Sequence, residues 1–97
     1  MQSQDQPAAA LDYARAHRDE HLDILLDYVA RPSISTQNIG MLECAEHSAS
    51  LLRSAGCSVQ IMESDGYPIL LGEMIAEPGA PTVLLYGHYD VQPPEPI

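Results

Sequence analysis

Leu11, Leu22, Leu25, Leu26 and Val29 recur at helical spacing with acids between them. Pro7 stands where a first helical turn tolerates a missing N–H. The pattern predicts one long amphipathic helix over about 8–30. It ends at Arg31, because a residue before proline is pushed out of helical geometry. A polar loop follows over 32–38. A second helix is predicted over about 39–55, with Met41, Ala45, Ser48, Leu52 and Ala55 as a mild apolar stripe. Gly56 falls just past its end, where a left-handed residue is wanted.

Beyond Gly56 the period changes. Val59 and Ile61 alternate with Ser58 and Gln60, as in a strand. Asp65-Gly66 is a turn signal, and 69–75 reads as a second strand. Glu77-Pro78-Gly79-Ala80-Pro81 marks another turn. The continuous apolar run 82–86 predicts a third strand, buried on both faces of a sheet. The fold class is therefore α/β: two N-terminal helices, then three strands. A sheet buried on both faces needs more cover than two helices give, so the chain is expected to be the opening, incomplete part of a larger domain. Positions 1–10 are expected to be disordered or frayed, Met1 to Gln6 most clearly, and 11–97 to form the domain portion.

Composition narrows the partners. The 97 residues carry 14 acids against four arginines and no lysine, a formal charge of −10. Such a surface repels phosphate backbones and anionic lipid, which argues against nucleic-acid and membrane partners. No apolar stretch approaches the roughly 20 residues of a membrane-spanning helix. The polar start, 1–7, is not a secretory signal. The 45% apolar fraction is ordinary, and without Phe or Trp a core must come from Leu, Ile, Val, Ala, Met and Tyr. Cys44 and Cys57 make no disulfide framework and fit no zinc-ribbon spacing, so both read as reduced, structural cysteines of a cytoplasmic protein.

The candidate chemistry follows the third strand, in Gly87-His88-Tyr89-Asp90-Val91-Gln92-Pro93-Pro94. Ligands of open α/β sheets bind beyond the carboxyl ends of strands. Residues two apart on extended backbone point to the same side. A neutral imidazole there can ligate a metal. A carboxylate beside it can accept the other ring N–H, fixing the tautomer and strengthening the donor. Alone, His-x-Asp also describes a loop histidine bonded to a nearby acid.

The run 82–96 resembles the first metal-binding motif of the di-zinc metallopeptidases: carnosinase, cytosolic non-specific dipeptidase, aminoacylase and the deacylases of acetylornithine and succinyl-diaminopimelate. Gly87-His88-Tyr89-Asp90-Val91-Gln92-Pro93 looks most like the dipeptidase and carnosinase branch. Upstream, 25–35 is similar to the family's first helix and following loop, and 45–56 to its second helix. Gly72-Glu73 and Gly79-Ala80-Pro81-Thr82 also resemble the family. The resemblance implies that His88 is the metal residue, a ligand of one zinc, and that Asp90 is the catalytic-site carboxylate orienting it. It implies two zincs per complete site, a small peptide substrate, metal-assisted amide hydrolysis with a glutamate base, and a second domain that often dimerises. The family's other ligands lie beyond this motif. One imidazole and its partner fall short of the three or four ligands of a protein zinc site.

Other constellations compete. His17, Glu20 and His21 fit the inverted zincin pattern His-x-x-Glu-His, and on a helix the two histidines lie one turn apart. They also fit a plain polar helix face, and no later segment supplies a third ligand. Cys44 and His47 lie three apart on the second helix. Cys44 reads as a small core residue and His47 as a surface one. Tyr86 and Tyr89 flank the motif. Tyr86 can line the site, and packing is its expected role. Glu95 has no assigned role. The rival to a peptidase fragment is a small non-enzymatic acidic protein, or a decayed remnant, binding a partner through an exposed sheet edge.

Overall fold

The computed structural model describes residues 5–94. The element order is α1 (Asp5–Ala16), α2 (Arg18–Ala30), the 3-10 helix η1 (Ser35–Gln37), α3 (Met41–Ser54), β1 (Ser58–Met62) and β2 (Ile69–Glu73). This is a small α/β arrangement. It divides into two units, Met1–Arg31 and Pro32–Ile97.

In the first unit, the expected single helix is two helices meeting at His17. Backbone bonds continue across the junction: His17 N–H donates to Tyr13 O at 3.0 Å, and His21 N–H to His17 O at 2.9 Å. The distortion has a local cause. His17 Nδ1 lies 2.8 Å from the same Tyr13 carbonyl, and its ring stacks on Tyr13 at 3.8 Å between centroids. A side chain that shares the carbonyl four residues back bends a helix. Asp19 and Glu20 lie in the first turn of α2, where acids oppose the helix dipole favourably. The Arg31–Asp27 pair, 3.1 Å apart, ties its last turn. Arg31 is extended, as the following proline demands. Leu22, Leu25, Leu26 and Val29 are 39–66% exposed. The helix begins at Asp5; the earlier part of the expected frayed terminus lies outside the described residues.

The second unit holds the described core. Met41, Cys44, Ala45 and Ala49 of α3 are buried, and α3 packs on β1 and β2. The strands form an antiparallel pair with Ser58 opposite Glu73 and Met62 opposite Ile69. The predicted turns are present. Ser64 Oγ accepts Gly66 N–H at 3.1 Å and donates to Tyr67 O at 2.7 Å. Ala80 N–H reaches Glu77 O at 3.2 Å. Gly56 has the expected positive φ of 105°.

The third strand is a correction. Residues 82–86 form no ladder, and Val83, Leu84, Leu85 and Tyr86 are 79–90% exposed. A strand exists only through a neighbour's hydrogen bonds. Among the described residues β1 and β2 pair with each other, and no strand flanks 82–86. Tyr86, expected to pack, is thereby exposed. No described helix is long and apolar enough to cross a membrane.

The loop before α3 is a closed structure. Ile34 and Ile39 exchange backbone hydrogen bonds at 2.8 and 3.1 Å around η1. Asn38 and Gly40 both take positive φ. Ser33 at the loop's start is buried.

Candidate functional site

This loop carries the turn that contains the predicted site. Val91 N–H donates to Ser33 O at 2.8 Å, and Ile34 pairs with Val91 in a parallel bridge. Tyr89 is anchored at both ends. Its hydroxyl donates to Pro68 O at 2.6 Å, and its carbonyl lies 3.9 Å from Cys44 Sγ in the core. The segment 88–91 is therefore held by the loop, the core helix and the approach to β2. No regular secondary structure is required.

His88 and Asp90 meet as the spacing predicts. His88 Nδ1 lies 2.9 Å from Asp90 Oδ1 and 2.9 Å from the Asp90 carbonyl oxygen. Both are acceptors, so Nδ1 must carry the proton of a neutral ring. The Nε2 lone pair is left free on a side chain that is 72% exposed. This is the tautomer a metal ligand needs. Asp90 Oδ2 accepts a hydrogen bond from Ser35 Oγ at 2.7 Å. That hydroxyl, above all, holds the Asp90 carboxyl below its ordinary value; partial burial opposes it, and the hydrogen bond from His88 reinforces it.

The sign of the pH dependence follows. A depressed folded pKa contributes stability that is complete above the ordinary carboxylate value, about 3.9. That contribution is lost as pH falls through the lower folded value. We expect Ser35→Ala to raise the Asp90 pKa back toward the ordinary value, read from the Asp90 carboxyl carbon in an NMR titration. An unchanged titration would contradict the part given to Ser35.

Ser35 is the member that sequence reasoning missed. It lies 55 positions from Asp90, and no local pattern links the two. The only sequence signal was the likeness of 25–35 to the loop of the di-zinc peptidases. Of the other candidates, His17 and His21 stack on each other at 6.0 Å between centroids within the first unit. Cys44 is buried, as expected. His47 is half-buried rather than on the surface, with Nε2 inside. Glu95 lies outside the described residues. Among the described residues no three His, Cys, Asp or Glu side chains are grouped to hold a metal ion. The donor set thus fits one zinc ligand and its orienting carboxylate, and does not amount to a complete site.

Beta-Ala-His dipeptidase of Mus musculus is 35% identical over 97 aligned residues, which cover 84% of this chain and 20% of the dipeptidase. Beta-Ala-His dipeptidase of Rattus norvegicus is 33% identical over the same shares of each chain. The chain is thus similar, over most of its length, to part of a dipeptidase. It spans about a fifth of the length of the curated relatives it matches. No family profile matches the chain. No solved structure matches it.

Proposed function

We propose that the chain is the amino-terminal part of the catalytic domain of a zinc-dependent, dipeptidase-like metallopeptidase. Its reaction would be hydrolysis of the amide bond of dipeptides or acylated amino acids. His88 would hold zinc through Nε2, and Asp90 would fix the ring and raise its basicity. The observation that carries this is the His88 ring itself, with Nδ1 against two acceptors and Nε2 free and exposed. Likeness to part of two dipeptidases supports the same reading. When bound, zinc polarises a carbonyl and lowers the pKa of a water. This chain's own part is to present one oriented nitrogen. The complete enzyme is proposed to be a cytoplasmic homodimer with two zincs per site and small peptides as substrates.

The test is a dipeptide hydrolysis assay on protein isolated at the length its source cells make. Hydrolysis should stop with a chelator and return with zinc. Absence of hydrolysis, or hydrolysis indifferent to the chelator, would contradict the proposal. The 97-residue chain alone should turn over no dipeptide, because a catalytic zinc site uses about three protein ligands. Calorimetric zinc titration beside the same assay checks this. Saturable one-to-one binding accompanied by turnover would refute it.

A further inference from the structure

We propose that Ser35 is a positioning residue for the His88–Asp90 pair, setting the direction in which His88 presents Nε2. The proposal rests on the metal-ligand reading of His88 for its use, though not for its geometry. Asp90 sits on a segment without regular structure, and its side chain is 39% exposed. A carboxylate in that setting turns freely about its side-chain bonds unless both oxygens are held. Oδ1 is taken by the His88 ring, whose Nδ1 also faces the Asp90 carbonyl oxygen at 2.9 Å. Oδ2 is taken by Ser35 Oγ at 2.7 Å. The serine is therefore the fixed end of the relay.

Ser35 can serve as that end because its own backbone is held. Its carbonyl accepts Asn38 N–H at 3.2 Å, and the Tyr67 hydroxyl approaches it at 2.9 Å. Two residues earlier, the Ser33 carbonyl holds Val91 N–H. One edge of the loop thus grips the backbone of the 88–91 turn, and its next side chain grips the carboxylate. Without the hydroxyl, the backbone grip and the Asp90 carbonyl remain, while the carboxylate is free to swing away from Nδ1. The ring keeps one of its two acceptors, and its direction spreads with no loss of fold.

The experiment is a long-range proton–nitrogen NMR spectrum of the histidine rings, recorded on this chain as wild type, Ser35→Ala and Ser35→Thr. The amide of Val91 serves as the control for the loop. Wild type should show His88 as a single tautomer protonated at Nδ1. Ser35→Ala should weaken that signature, moving the ring nitrogens toward averaged values with the Val91 amide unmoved. Ser35→Thr, which keeps a hydroxyl, should restore it. In protein of natural length, Ser35→Ala should weaken zinc binding by about tenfold, the lower end for groups that orient a ligand. Ring nitrogens unchanged between wild type and Ser35→Ala would overturn the proposal. So would a change seen only together with displacement of the Val91 amide, since that is a purely structural role. If the ring behaves as expected but zinc does not bind at His88, the metal reading fails and the positioning stands.

Discussion

Replacing His88 by alanine is expected to abolish zinc-dependent hydrolysis in the protein at natural length, and Asp90→Asn to lower it by about 10–100-fold. The two changes differ in kind. Alanine removes the nitrogen proposed to hold zinc. Asparagine keeps the size of the side chain and an oxygen that can face His88 Nδ1 at the present 2.9 Å. It removes the charge that raises the basicity of Nε2, and its amide group can turn a donor toward the ring, favouring the wrong tautomer. Bound zinc per chain and kcat should fall together in both variants. His21→Ala, which spares every residue of the 33–35 and 88–91 cluster, should leave both unchanged. Full hydrolysis by His88→Ala would show that the imidazole is not a ligand.

The second large effect is on stability. Gly40→Ala is expected to cost on the order of 3 kcal/mol or more, from a left-handed backbone together with a clash. Gly40 has φ +71°, and a Cβ there would lie 2.1 Å from the Pro32 carbonyl oxygen and 2.8 Å from its carbon. Both atoms are backbone, so no side-chain rotation relieves the contact. The loop from Pro32 to Gly40 would have to open, and it carries Ser33, Ile34 and Ser35. A typical domain has about 5–15 kcal/mol in total, so the loss should shift a urea midpoint well beyond error. Gly79→Ala separates the two causes. It has a comparable φ of +85° but nothing within 4 Å, so it should cost about 1 kcal/mol from backbone strain alone. Far-UV circular dichroism suits the measurement, as the chain has no Trp. Equal costs for the two variants would mean that the Pro32 contact yields easily.

What the sequence made legible was local. The periodicity of 41–54, the positive φ at Gly56, the turns at 65–66 and 77–80, and the His88–Asp90 contact all depend on residues within a few positions of one another. The helix break at His17 was hidden because it arises from one ring competing for one carbonyl, which the apolar pattern does not register. The strand expected at 82–86 failed for the opposite reason. Its apolar run is a request for neighbours, and pairing is a property of two segments. Ser35 was illegible for a related cause: its bond to Asp90 spans 55 positions. The likeness to the di-zinc peptidases marked the loop's neighbourhood without giving the residue a part.

The central claim, that His88 is a zinc ligand oriented by Asp90, is tested most directly by zinc-edge anomalous diffraction from crystals of the natural-length protein. The expected result is an anomalous peak at bonding distance from His88 Nε2, with Nδ1 facing Asp90. A zinc-dependent, active protein whose anomalous peaks all lie away from His88 would contradict it.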